Sequence, residues 1–175
     1  MDNVVIETPR FVLRSLIEGD ATERYLDWMI NTVSNRFIVS ARSGLTLADL
    51  RVFIAECRVR EDVLFLGIFL RDDGSHIGNI KYDPIRQLEG YAVMGMLIGE
   101  GTWRGQGVAR EVINASIRWL EAKFGLREIL LGVDRENEAA ISAYRKFGFH
   151  PDQSDRVRIS SSQSMSMVYK LGASQ

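Results

Sequence analysis

The stretch "GEGTWRGQGVAR", Gly99–Arg110, sets four glycines within nine residues and then runs straight into a helical pattern. Glycine loses more conformational freedom on ordering than any other residue, so a cluster of it marks backbone that must approach something closely. Ahead of the cluster lies "EGYAVMGMLIG", Glu89 to Gly99, which reads as an apolar strand. Behind it, Val108, Val112, Ala115, Trp119 and Leu120 recur at helical spacing, with Ile113, Ile117 and Phe124 as an adjacent stripe. This helix is expected to pack along much of its circumference, and Gly125 to cap its end. A strand, a glycine-rich turn and a helix together aim free backbone N–H groups at one point, where the helix dipole also favours negative charge. A phosphate or diphosphate is the natural guest. Two common phosphate loops do not fit: no Lys-Ser or Lys-Thr follows the glycines, and Arg110 stands where the dinucleotide fingerprint needs its third glycine.

Upstream, "RFVLRSL" (Arg10 to Leu16) alternates as a first strand after Thr8-Pro9. Asp20 is expected to cap a helix carrying Tyr25, Trp28 and Met29, and Thr46 a second one with Leu47, Leu50, Phe53, Ile54 and Cys57 on one face. "DVLFLGIFLRDDGSHIGNIKYDPI" reads as two strands joined by a turn at Asp73-Gly74. Downstream, "REILLGV" (Arg127 to Val133) follows the long helix as a strand, which implies a parallel crossover. Asn137 caps a short helix ending at Gly148, and "SMSMVYKL" (Ser164 to Leu171) alternates as a final strand. The expectation is a mixed α/β (α+β) domain over residues 1–172, with about six to seven strands and about four helices, and a disordered tail at 173–175.

Composition narrows the function. The chain has 175 residues, 46% hydrophobic and 26% charged, an ordinary globular mixture. Lys plus Arg number 22 against 23 Asp plus Glu, a net charge of −1, so no global positive field points to nucleic acid. Cys57 is the only cysteine, and His76 and His150 lack partners at ligand spacing, so no metal is expected. "MDNVVIETPR" does not read as a secretory signal, and no apolar run reaches membrane-spanning length. The expected setting is cytoplasmic, without membrane or nucleic-acid partners.

Arg104-x-x-Gly107-x-Ala109, preceded by Trp103, resembles the pyrophosphate-binding signature of the GNAT superfamily of acetyl-CoA-dependent N-acetyltransferases. "NEAAISAYRKFGF", Asn137 to Phe149, supplies the second motif at the spacing that family uses. "ETPRFVLRSL" and "HIGNIKYDP" resemble the branch containing ribosomal-protein alanine acetyltransferases. The resemblance implies acetyl-CoA as co-substrate. It places the coenzyme's diphosphate on the backbone of Arg104, Gly105, Gln106, Gly107, Val108 and Ala109. The pantetheine arm would lie along Leu97, Ile98 and Gly99, in a gap where the central parallel strands splay. Asn137 would contact the coenzyme and Tyr144 would protonate the departing sulfur. Those two residues are seven apart, two helical turns, and so share a face. Asn137 also suits a plain helix cap, and Tyr144 a core aromatic with a wet tip.

The general base is less defined. Glu100 adjoins the loop and is the catalytic candidate, with Asp83, Glu89 and His76 as further ones. Some relatives carry a glutamate in the strand before the Asn motif, where this chain has Gly132. The acceptor site is expected from residues 20–60 and roughly 151–163, which include Arg36, Arg42, Asp155, Arg156 and Arg158. Those arginines suit a phosphate-bearing acceptor such as a nucleotide-linked amino sugar. A small polyamine, a protein N-terminus and a non-catalytic acyl-CoA sensor are the competing readings.

Overall fold

"LFLGIFL", Leu64–Leu70, is apolar without alternation, and six of its seven residues are buried. A strand of this kind must be covered on both faces. In the computed structural model, which describes residues 1, 3–30, 44–153, 155–157 and 163–172, helices do cover both faces of the sheet at this strand.

The strands are β1 (Val5–Glu7), β2 (Phe11–Ser15), β3 (Leu64–Leu70), β4 (His76–Arg86), β5 (Tyr91–Ile98), β6 (Glu128–Asp134), β7 (His150–Asp152) and β8 (Ser164–Lys170). They form one sheet in the order β1-β2-β3-β4-β5-β6-β8-β7. The helices are α1 (Glu23–Ile30), α2 (Leu47–Val59), α3 (Val108–Phe124) and α4 (Glu138–Phe147). Eight strands exceed the expected six to seven because β1 and β7 have three residues each, too few to show alternation. The tail at 173–175 lies outside the described residues.

On one face, Ile80, Tyr82, Met94 and Leu131 pack against Val112, Ile113 and Ile117 of α3 and Ile141 of α4. On the other, Phe65, Phe69 and Leu97 pack against Tyr25, Trp28 and Met29 of α1 and Leu50, Ile54 and Cys57 of α2. The third helix buries one broad face rather than most of its circumference: Arg110, Asn114, Arg118 and Glu121 are exposed, since the sheet covers only one side. At its buried centre, Ser116 donates to the Val112 carbonyl at 2.7 Å, which leaves its oxygen to accept from the buried Tyr82 hydroxyl at 2.8 Å.

Caps follow the sequence in three places and depart from it in one. Thr46 accepts from Asp49 N–H, Asn137 accepts from Ala140 N–H, and Gly125 ends α3 in the left-handed region. Asp20 does not cap α1. Its carboxylate takes Arg14 at 2.7 and 2.8 Å and the Ile17 N–H, and Thr22 instead accepts from Tyr25 N–H. The bidentate charge pair with Arg14 is the stronger partner for that carboxylate.

The first helix meets the end of β5 through Trp28. A Cβ built on Gly99 would lie 2.0–2.4 Å from the Trp28 ring, so only glycine admits this contact. The ring is itself buried and its Nε1–H donates to Glu100 at 3.1 Å, so it has little room to move. Gly99→Ala is expected to lower stability by about 1–3 kcal/mol through overpacking. Urea unfolding midpoints for Gly99→Ala, Trp28→Ala and the double variant should show the two losses to be less than additive.

Candidate functional site

From Gly105 to Arg110, six consecutive backbone N–H groups find no acceptor among the described residues. The first intrahelical bond at this end of α3 runs from Glu111 N–H to the Gly107 carbonyl, as expected where a helix begins. Just upstream, Trp103 and Arg104 turn their N–H groups inward to the Glu100 and Gly101 carbonyls. The change comes at Gly105 and Gly107, whose φ values of 73° and 76° fall in the left-handed region. Left-handed residues among right-handed neighbours curl successive N–H groups into a concavity suited to an anion. Gly105, Gln106 and Gly107 are exposed, Val108 is buried in the core, and Ala109 is half-buried. The Arg104 side chain turns away from the concavity, and its Nε–H donates to the Ile98 carbonyl at 3.0 Å.

Beside this loop the sheet opens. Parallel pairing of β5 with β6 covers only Tyr91–Met94 against Glu128–Leu131. Beyond it, Gly95–Ile98 pair with β4 alone, and Gly132–Asp134 with β8 alone. These are the splayed central strands that the sequence led us to expect. Gly99 N–H donates to the Ile77 carbonyl at 3.0 Å, and Leu97 stands opposite Asn79. Because an antiparallel ladder alternates, the main chain of Leu97 serves β4, while Met96 and Ile98 turn theirs toward the gap. Met96 carried no sequence signal, since polarity patterns say nothing about which way an amide points.

The fourth helix packs against the same layer of the core. Tyr144 is half-buried, with its ring 5.7 Å from that of Phe149. Burial pushes its phenol up to about 12, so it keeps its proton at neutral pH. Asn137 is half-buried, and its Oδ1 is engaged by the cap. A surface groove lined by Arg135, Glu138, Ser142, Arg145 and Met165, among others, includes no residue of the loop or the gap.

The acidic candidates separate. Glu100 accepts from Arg24 Nε at 2.7 Å and from the Trp28 indole, and Arg24 holds its carboxyl below the usual range. An anion held this way is a weak proton acceptor and a firm tie between α1 and the loop. Arg24 carries no sequence signal and Trp28 only that of an apolar helix residue, because their partner lies more than seventy residues away. Asp83 pairs with Arg60 and Lys81, and Glu89 lies in the turn before β5. Glu89 precedes the end of β5 opposite the loop, about 25 Å away along an eight-residue strand, and Asp83 lies on β4 beside the first half of that strand, between the Tyr82–Met94 and Ile85–Ala92 pairs. His76 is half-buried, stacked on Phe69 and edge-on to Tyr25 and Trp28, with Nε2 2.9 Å from the Gly78 carbonyl. Burial pushes its imidazole down to about 4, so it is neutral.

Of the arginines expected at the acceptor site, Arg36, Arg42 and Arg158 lie outside the described residues. Arg156 pairs with Glu128 and Asp152, and Asp155 is exposed. Among the described residues, no helix is long and apolar enough to cross a membrane, and no group of three His, Cys, Asp or Glu is placed to hold a metal ion.

Comparison with known proteins agrees with this arrangement. Over 69 residues, 39% of either chain, the sequence is 35% identical to N-alpha-acetyltransferase 30 of Saccharomyces cerevisiae, so this match spans well under half of that relative's length. The fold superposes on spermidine N-acetyltransferase from Vibrio cholerae in complex with CoA and spermine, with a TM-score of 0.77 at 18% identity over 93% of this chain and 96% of that one. A ribosomal L7/L12 alpha-N-protein acetyltransferase in complex with coenzyme A gives a TM-score of 0.76 at 14% identity, over 95% and 97%. The acetyltransferase (GNAT) domain family matches residues 10–150, from the residue before β2 through the loop and both motifs to the first residue of β7. The chain therefore belongs to the GNAT acetyltransferase domain family.

Proposed function

We propose that this protein moves an acetyl group from acetyl-CoA to the free amine of a peptide N-terminus, by direct attack with both substrates bound. The observation that carries this reading is the run of N–H groups from Gly105 to Arg110 that find no acceptor among the described residues, at the mouth of an open gap between β5 and β6. A diphosphate fits the first and an extended, amide-bearing arm fits the second. When bound, acetyl-CoA supplies a thioester whose carbonyl carbon accepts the amine and whose thiolate departs. Met96 offers its main-chain groups to the arm and Ile98 its N–H, the Ile98 carbonyl being held by Arg104, and the Asn137 amide nitrogen has no partner among the described residues.

Tyr144 is the proposed proton donor to the leaving sulfur. A phenol, protonated at neutral pH even at its ordinary value of about 10, is matched to a thiolate better than a carboxylic acid, which would be ionised there. Glu100 is assigned here to holding α1 against the loop, and the amine proton is taken up by water. The acceptor follows from two observations. Arg156, which would favour a phosphate-bearing acceptor, is already neutralised by Glu128 and Asp152. The sequence relative named above is an N-alpha-acetyltransferase.

Tyr144→Phe is expected to lower kcat by about 10²-fold, in the usual range for a positioned acid, while the Kd for acetyl-CoA stays within about twofold. Unchanged turnover in stopped-flow thiol release would remove Tyr144 from the reaction. A CoA-release assay across N-terminal peptides, polyamines and nucleotide-linked amino sugars tests the acceptor. Peptides should turn over, and turnover confined to the amino sugars would overturn that part of the proposal.

A further inference from the structure

The diphosphate loop is held from outside by a residue that belongs to neither family motif. Arg10, at the entry to β2, sends Nη1–H to the Gln106 carbonyl at 2.9 Å. Its Nε–H and its backbone N–H both go to Glu111, at 2.8 and 2.9 Å, one to each carboxylate oxygen. The Thr8 hydroxyl closes the cluster with a 2.7 Å bond to Glu111. Arg10 Nη2 also lies 3.6 Å from where a Cβ on Gly107 would sit, so the guanidinium rests directly against the loop backbone.

Two physical consequences follow. Within a trans peptide the C=O and the following N–H point in opposite directions. Drawing the Gln106 carbonyl toward Arg10 therefore turns the Gly107 N–H the other way, into the concavity with its neighbours. The second consequence is electrostatic. Glu111 occupies the first turn of α3, where the helix dipole stabilises it but where it would repel a bound diphosphate. Pairing with Arg10 cancels that charge, so the cluster beside the loop is neutral as a whole.

We propose that Arg10, fixed by Glu111 and Thr8, is a positioning residue for coenzyme binding: it sets the orientation of the Gln106–Gly107 peptide and neutralises Glu111, so that the loop accepts a diphosphate. The inference rests on the diphosphate reading of the loop. Arginine is required because one planar fork must serve a carboxylate and a carbonyl at once; lysine offers a single point charge.

Calorimetric titration of the full chain with CoA, and NMR titration with pantetheine, which has the arm and thiol but no diphosphate, tests this directly. Arg10→Ala is expected to weaken CoA about tenfold, as for loss of one charge-assisted hydrogen bond. Pantetheine should be unchanged within about twofold, and Arg10→Lys should recover part of the CoA affinity. Glu111→Gln, which removes the charge and keeps one acceptor oxygen for Thr8 and the Arg10 backbone N–H while losing the one for Arg10 Nε–H, should weaken CoA less than Arg10→Ala. Equal losses for CoA and pantetheine, or no loss for CoA in a variant with an unchanged melting temperature, would overturn the proposal. If the unaltered protein binds CoA no better than pantetheine, the diphosphate reading itself fails and takes the inference with it, whatever Arg10 does.

Discussion

Two parallel strands that pair for four residues and then part govern most of what this protein can do. Every main-chain amide inside a sheet needs a partner, and a gap leaves a row of them without one unless something enters. At the widening end of this gap, the chain leaves β5, passes through Gly99–Gly107 and enters α3, bringing six more free N–H groups to the same place. A helix N-terminus alone would offer three or four. The two left-handed glycines extend the series backward into the turn, converting a helix end into a cradle.

The surrounding structure holds that geometry by polar contacts from remote segments. The first helix is fastened to the exit of β5 by Trp28 against Gly99 and by Arg24 and Trp28 on Glu100. The entry to β2 is fastened to the far side of the loop through Arg10, Glu111 and Gln106. The loop thus has a brace on each side. Carboxylates near it are engaged by arginines, which keeps uncompensated negative charge away from an anion site.

Much of this was legible in the sequence where the controlling interactions are local. Helix caps at Thr46 and Asn137, the left-handed end at Gly125 and the hairpin at Asp73-Gly74 depend on residues within a few positions of one another. The strand, glycine turn and helix at Gly99–Arg110 are local too. Asp20 was misjudged because its carboxylate satisfies Arg14 on β2, and a cap preference cannot reveal a competing charge. The engagement of Glu100 is hidden from sequence for the same reason. Its partners, Arg24 and Trp28, are close only after α1 folds onto the sheet.

The amino-acid sequence by itself determined the order of the longer elements and the strand, glycine turn and helix at Gly99–Arg110, since each follows from side-chain periodicity or from backbone freedom at glycine. Only the tertiary structure decided where β5 and β6 stop pairing, which amides of β5 face the gap, and which charged groups are already neutralised. Those outcomes depend on register and on contacts between segments tens of residues apart, for which a linear pattern carries no distance.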